Sequence, residues 1–456
     1  MNTVASGYSI DSRTLNPGDL FFAIRGSRSD GHEFVLSAFE KGACGAVVAA
    51  DWAGRQNFRL SPSGKAPQRN WIAVPDTTAA LQNLAARARQ WWGGVVVAIT
   101  GSAGKTTTKE ICATLLSSTR RVYKSEGNLN NLYGVPLTLL RVDASADVAV
   151  IELAMSAREE IRSLTRIAVP EVGVLTNVNP VHLQFFSSLD EIALAKRELA
   201  EELDARASVI LNADDLRVAH FSSHTKARVI TYGRSQGADV RIENVRMKDL
   251  EGSEFEVAIA SGPRVSFRLP LIGEHNVWNA GAAIAVALQL GVPLEEAARR
   301  LERVSPARMR GEILRFAEGF TVIDDTYNSN PRALTEVISA VAGMGGFKRK
   351  IVAAGEMLEL GTESRALHEG CGRSMAEAGI DVLIAVQGDA EAMASGALAA
   401  GMEPEKVFFY STPAEAGEKL CRIMAPGDLV LLKGSRGVKM ELALDRLRQK
   451  FSAKAH

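Results

Sequence analysis

The sequence predicts an α/β fold built in three blocks, and three observations carry that reading. From about residue 86 onward, short apolar runs alternate with helical patterns, the rhythm of βαβ units on parallel sheets. That rhythm breaks near Ser305-Pro306 and then resumes, separating a second block, 86–305, from a third, 306–456. Residues 1–85 form a first block that begins polar and turn-rich. A chain of 456 residues has room for about two to four domains, each with its own core.

In the first block, Pro17-Gly18-Asp19 marks a turn before the strand LFFAI. Segment 51–70 carries Gly, Pro, Ser and Gln and reads as a surface loop or insertion. TTAALQNLAARARQWW reads as a helix stopped by Gly93-Gly94. The second block has predicted strands at 95–100, 148–153, 172–178 and 208–213, separated by helices at 106–118, 158–167 and 188–203. At 239–270 the pattern changes to short alternating runs, an antiparallel patch, before the small-residue helix AGAAIAVALQL. In the third block FTVIDD, KIVAAG, VLIAV, VFFY and LVLLKG alternate with helices. This is a doubly wound unit without the GxGxxG dinucleotide fingerprint.

Composition excludes several classes of function. Lys+Arg and Asp+Glu number 53 each, and a neutral chain gives no support for a nucleic-acid or membrane surface. Aromatic residues at 6% disfavour stacked-base recognition. No apolar span is long enough to cross a bilayer, and MNTVASGYSIDSR has no basic-then-apolar signal, so a cytoplasmic protein without membrane insertion is expected. Cys44, Cys112, Cys371 and Cys421 are far apart and read as reduced thiols. His220 and His224 have no third ligand nearby and read as a solvated pair.

The most informative stretch is VVVAITGSAGKTTTKE at 95–110. A β-branched run breaks at Gly101 and reopens as a helix after Gly104, so backbone N–H groups and a helix start converge into an anion site. Lys105 can reach terminal phosphates and the Thr106 hydroxyl can bind Mg²⁺. The loop is shorter than the full P-loop pattern, whose first glycine it lacks.

Metal ligands are then expected at the carboxyl ends of neighbouring strands. The run VAVI ends in Glu152, an oxygen ligand suited to Mg²⁺, against the plainer reading of a cap or surface carboxylate. His182 follows the next strand in a Pro-containing turn and reads equally well as structural, since Mg²⁺ seldom chooses imidazole. Lys196 lies among apolar positions of a helix, where the plain reading is an exposed lysine with a snorkelling stem. Asn276 and Asn279 stand at a helix start, to cap it or to read an adenine edge and ribose. Asp324 and Asp325 end the strand FTVI, at a ligand position or in an Asx-rich turn. Lys433, Ser435 and Arg436 line another carboxyl edge and suit an anionic group.

TGSAGKTTTKE, GNLNNLYGVPLTLL, GEHNVWNA, DDTYNSNP, GEMLELG and LLKGSRG, in this order, resemble the Mur ligases of bacterial cell-wall synthesis. DSRTLNPGDLFFAIRGSRSDGHEF resembles their nucleotide-sugar-binding domain, so the match spans all three blocks. GNLNN, and DDTYNSNP with GEMLELG, are most similar to the branch that adds a dipeptide. The resemblance implies a small α/β N-terminal substrate domain, a central P-loop parallel-sheet ATPase domain and a C-terminal Rossmann-like α/β domain. It implies an ATP-dependent ligase that adds D-alanyl-D-alanine to UDP-N-acetylmuramoyl-tripeptide through an acyl phosphate, acting as a monomer with ATP and two Mg²⁺ ions.

Residue roles follow from the same resemblance. Gly101, Ser102, Ala103, Gly104, Lys105, Thr106 and Thr107 would cradle the phosphates. Thr106, Glu152 and His182 would ligate metal. Asn276 would sit near the adenine, with Arg310 and Asp325 reaching ATP from the domain junction. Lys105, Glu152, His182 and Lys196 would be catalytic, Lys196 matching a lysine that is carbamylated in several relatives. Ser12, Arg13, Asn128, Asn130 and Asn131, with Tyr327, Asn328, Lys433 and Ser435, would contact the substrates. Two stretches depart from the family pattern: LAMSAREEI has Arg158-Glu159 where relatives often end in Gly-Glu-Ile, and NVNPVHLQFF differs from the usual NIGxAHLExF.

Overall fold

The computed structural model describes residues 4–26, 29–55, 70–180, 184–186, 188–259 and 262–453. Three sheets are present among them, one per block. In the first block, β1 (Gly7–Ser9), β2 (Asp19–Phe22), β3 (Gly45–Ala49) and β4 (Trp71–Val74) form a parallel sheet in sequence order. The predicted helix is found at Thr77–Trp92. Asp76 accepts from the Thr78 and Ala79 N–H groups to start it, and Gly93, at φ +68°, ends it. Its Leu81 packs with Phe22, Ile24 and Val47 of the first block and with Leu137, while its Ala85 joins the central core. One helix therefore belongs to two cores.

The central sheet has nine strands. These are β5 (Val95–Thr100), β6 (Val122–Lys124), β7 (Val148–Glu152), β8 (Val172–Leu175), β9 (Ser208–Asn212), β10 (Arg228–Gly233), β11 (Val240–Met247), β12 (Ser253–Ile259) and β13 (Arg264–Leu269). Their order is β13-β12-β11-β10-β9-β8-β5-β7-β6, parallel from β6 to β11, with β12 and β13 antiparallel. Continuous apolar runs are explained by burial on both faces. Val148 and Val150 of β7 face one core, and Ala149 and Ile151 the other. Strand order reverses at β5, so a crevice opens between the loops after β5 and β8, the position where such sheets bind ligands.

In the third block β14 (Glu312–Arg315) pairs antiparallel with β15 (Thr321–Asp325). The parallel strands β19 (Asp428–Lys433), β16 (Arg349–Gly355), β17 (Val382–Val386) and β18 (Val407–Tyr410) then follow in that order. The α/β class and its parallel sheets are as expected, and the 239–270 patch is antiparallel within β11–β13.

Several details differ from the sequence reading. β6 and β14 are short strands at the edges of their sheets, with too few residues to show a pattern. The strand expected at 172–178 stops at Leu175, because Thr176–Asn179 leave the ladder to meet the loop after β5. Within the expected loop 51–70, Ala50–Arg55 is a helix, and residues 56–69 lie outside the described residues.

Candidate active site

Geometry at 100–108 depends on two glycines. Gly101 has φ +150°, and a Cβ there would lie 1.9 Å from Thr176 Oγ1. Gly104 has φ +82°, and a Cβ there would lie 2.1 Å from Asn279 Oδ1. Side chains are excluded at both, and the loop lies close against its neighbours. The helix Lys105–Leu116 starts behind Gly104 with no side-chain cap, which leaves its first N–H groups free for an anion. The Ala103 N–H donates to Asn177 Oδ1 (2.9 Å), and Asn179 N–H donates to Ser102 Oγ (2.9 Å), so the ends of β5 and β8 brace each other. Lys105 Nζ folds over the loop onto the Gly101 carbonyl (2.7 Å). Burial lowers the Lys105 pKa, Glu152 opposes that, and Arg310 adds to it.

The other expected residues arrive at this loop from neighbouring strand ends. Ser102, Ala103, Gly104, Lys105, Thr106 and Thr107 line one cleft of about 1580 Å³, with Gly101 buried beneath them. Glu152 at the end of β7 lines the same cleft, as do Asn128, Asn130 and Asn131. Asn131 is partly committed elsewhere, since its Oδ1 accepts from the Gly134 N–H (2.9 Å) at a helix start. Asn276 opens the helix His275–Gln289. Its Nδ2 donates to the Ile272 carbonyl (2.8 Å) and its Oδ1 accepts from Asn279 (3.0 Å), so this pair locks the helix entry rather than capping N–H groups.

The third block closes the other side. Arg310, Asp325, Tyr327, Asn328, Lys433 and Ser435 all line the cleft. Lys433 Nζ donates to Asp325 Oδ2 (2.5 Å) and to the Asn328 carbonyl (3.0 Å), which ties the ends of β15 and β19 together. The Arg310 guanidinium lies 4.1 Å from the Tyr327 ring centre. Among the described residues two hydrogen bonds join this block to the segment after β8. Arg332 donates to Asn179 Oδ1, and the Gln184 N–H donates to the Glu359 carbonyl (3.2 Å).

Lys196 corrects the plain reading of an exposed lysine. It is 2% exposed on the helix Leu189–Glu202, and among the described residues no carboxylate lies within ion-pair reach of it. Burial holds its pKa well below 10.5, helped by the charge on Lys105. The sign of the pH dependence follows. Between the lowered folded value and 10.5 the unfolded chain holds a proton that the folded one lacks, so stability rises with pH across that window. In bicarbonate-free buffer, Lys196→Met is expected to flatten this rise in denaturant unfolding, with its advantage over the parent largest at the low-pH end.

Ser12 and Arg13 do not line the cleft. Ser12 is buried in the first block, and the exposed Arg13 pairs with Asp11 (2.7 Å). His182 lies outside the described residues. Sequence reasoning missed Asn177, Asn179 and Arg332. Asn177 lies at the end of the predicted strand 172–178 and Asn179 directly after it, a usable signal, whereas nothing local marks Arg332.

The departure at Arg158-Glu159 has a conformational consequence. Glu159 sits at φ +69°, where glycine is favoured, and it precedes the helix Glu160–Ala168. The buried Glu198 carboxylate accepts from the Glu159 and Arg162 N–H groups (2.9 and 3.1 Å), satisfying the helix start from a neighbouring helix. Glu159→Gly is expected to raise unfolding stability by up to about 1 kcal/mol in urea titration, by relieving the left-handed strain. Its exposed pair with Arg162 contributes little to oppose this.

The donor set fits a hard divalent cation. Glu152 is 2% exposed, and among the described residues its Oε1 has no aligned hydrogen-bond donor. The Thr106 hydroxyl lines the same cleft. Among the described residues no cluster of three His, Cys, Asp or Glu is present.

A phosphate loop on one parallel sheet, facing the carboxyl edge of a second, defines a nucleotide-dependent two-substrate enzyme. Family models agree: "Mur ligase family, catalytic domain" matches residues 5–89, "Mur ligase middle domain" 99–287, and "Mur ligase, glutamate ligase domain" 309–436. A UDP-N-acetylmuramoyl-tripeptide--D-alanyl-D-alanine ligase of Bacillus subtilis is 35% identical over 96% of this chain and 92% of its own. A crystal structure of MurF from Acinetobacter baumannii superposes with TM-score 0.86 at 32% identity, covering 99% and 95% of the two chains. The ADP complex of a Thermotoga maritima MurF ligase superposes with TM-score 0.82 at 26% identity, covering 99% of each. The chain belongs to the Mur ligase family.

Proposed function

We propose that this chain is the ATP-dependent ligase that joins D-alanyl-D-alanine to UDP-N-acetylmuramoyl-tripeptide in peptidoglycan precursor synthesis, releasing ADP and phosphate. The observation that carries the reading is the convergence of the phosphate loop and the β15/β19 carboxyl edge on one cleft. Relatives named for this activity, at 32–35% identity over nearly the whole chain, support it.

A peptide carboxylate is a poor electrophile at neutral pH. Transfer of the ATP γ-phosphoryl group to its oxygen makes an acyl phosphate. The dipeptide amine then attacks the carbonyl carbon and loses its proton, and phosphate leaves with the C–O electron pair. The loop at 101–107 binds and orients the phosphates, and Lys105 offsets charge on the transferring group. Thr106 and Glu152, with His182, would hold Mg²⁺, which neutralises phosphate charge and aligns the in-line transfer. Asn276 with Arg310 and Asp325 would place the nucleotide. Asn128, Asn130 and Asn131 would face the acyl substrate, and Tyr327, Asn328, Lys433 and Ser435 the dipeptide. Ser12 and Arg13 would serve the UDP-sugar end.

The cleft is walled by two blocks, which aligns the reactants and excludes water from a hydrolysable intermediate. Lys196, buried and with its pKa lowered by that burial, is suited to take up CO₂ as a carbamate and so place a carboxylate beside the phosphate loop. The enzyme acts as a monomer in the cytoplasm; among the described residues no helix is long and apolar enough to cross a membrane.

The test is ADP release with UDP-N-acetylmuramoyl-tripeptide, with and without D-alanyl-D-alanine, and the product mass. Dipeptide-dependent ADP release with the UDP-N-acetylmuramoyl-pentapeptide mass is expected. Hydrolysis indifferent to both substrates would point instead to a nucleotide switch.

A further inference from the structure

Lys105 points at the phosphate loop; one helical turn later, Lys109 does not. Lys109 is 2% exposed, and its Nζ is turned inward to three oxygens. These are the Ser125 carbonyl at 2.6 Å, Glu152 Oε1 at 3.1 Å and Glu110 Oε1 at 3.4 Å. An ammonium has three donors, and a buried one is tolerable only when paired. Glu110 is shared with the more exposed Lys124. Ser125 in turn accepts the Glu152 N–H at its Oγ (3.4 Å) and immediately follows β6. Lys109 therefore joins three elements at one point: the helix behind the phosphate loop, the end of β7, and the segment leading into Asn128–Asn131. The contact with Glu152 is an ion pair rather than an aligned hydrogen bond, since Oε1 of this buried carboxylate has no aligned donor among the described residues.

We infer that Lys109 is a positioning residue for the metal site: its ammonium, paired with Glu152 at 3.1 Å, keeps that carboxylate oriented into the cleft, so that it meets a divalent cation with one geometry already set. The inference rests on the reading of Glu152 as a metal ligand. A buried carboxylate free to turn would meet the cation in several orientations and lose affinity, as happens when partners behind a ligand are removed. Charge matters as well as shape, because Lys109 supplies the only cation among the described residues within ion-pair distance of Glu152.

The experiment is a Mn²⁺ titration followed by electron paramagnetic resonance, in the presence of ADP and with no turnover. It compares the parent, Lys109→Met, Lys109→Gln, Lys109→Arg, Glu152→Gln and the double variant Lys109→Met/Glu152→Gln, each checked for folding by thermal melting. Lys109→Met is expected to weaken Mn²⁺ binding by about 10–100-fold. Lys109→Gln keeps a donor for the Ser125 carbonyl but removes the charge; it is expected to do the same, and it carries the test if the methionine variant does not fold. Lys109→Arg is expected to recover part of the affinity, and the double variant to bind Mn²⁺ no more weakly than Glu152→Gln alone.

A lysine acting only as filler predicts the reverse order, with methionine tolerated and arginine harmful; that result overturns the inference. So does parental Mn²⁺ affinity in the Met and Gln variants, or losses that multiply in the double variant. A Glu152→Gln variant with unchanged Mn²⁺ affinity overturns the metal reading itself, separately from the role of Lys109.

Discussion

Lys105→Ala is expected to reduce ADP formation and ligation by at least ~10³-fold, while leaving binding of the UDP-linked substrate within a few-fold of the parent. The size of the effect follows from placement. Lys105 is the cation at the first turn of a helix whose N–H groups already face the cleft, so its charge acts where negative charge builds up during phosphoryl transfer. In the structure its Nζ rests on the Gly101 carbonyl, a contact readily exchanged for a phosphate oxygen. Loss of the side chain removes charge, not shape, because the loop is held by Gly101, Gly104 and the Asn177–Ala103 bond. Trapping the acyl phosphate by borohydride reduction separates loss of phosphoryl transfer from loss of amine attack. Unchanged turnover in this variant would sink the phosphate-site assignment.

Lys196→Ala is expected to lower turnover by roughly 10²-fold, with the parent's activity rising with bicarbonate concentration and the variant's showing no such response. A fully solvated lysine at neutral pH is protonated and cannot attack CO₂. Burial, with the repulsion of Lys105, favours the neutral amine that can. The amine nitrogen bonds to the CO₂ carbon and releases one proton, converting an isolated buried base into an anion next to Lys105. A carbamate signal from isotope-labelled bicarbonate in the parent, absent in the variant, is the direct reading. Full activity after exhaustive removal of CO₂ would refute it.

The parts of this site that were legible in the sequence are those set by short-range pattern. The strand–glycine–helix junction at 95–108 and Glu152 at the end of an apolar run need only local chain geometry. Lys196 and Lys109 each carry a periodicity signal for burial, Lys196 against its plain reading as an exposed lysine. Ile192, Ala195, Lys196 and Leu199 follow helical spacing, and so do Thr108, Lys109, Ile111, Cys112 and Leu115. Each lysine therefore falls on the buried stripe of its own helix. What stayed hidden depends on contacts between blocks. The bond from Arg332 to Asn179 joins residues far apart in the chain, and no periodicity marks either end. Also invisible was that Asn131, while lining the cleft, accepts N–H groups at a helix start, because that depends on where the helix Gly134–Leu140 begins.

Because the helix Thr77–Trp92 places Leu81 in the first block's core and Ala85 in the central one, those two blocks cannot melt independently. Loss of either core strips apolar burial from the same sixteen-residue element. Among the described residues the third block shares no such helix, and it meets the central one at Ile272, at Leu250 and through hydrogen bonds such as Arg332 to Asn179. Calorimetry of the free protein should therefore resolve two cooperative transitions rather than three, and nucleotide should draw them together, because it bridges the unit that carries the phosphate loop and the unit that carries Asp325.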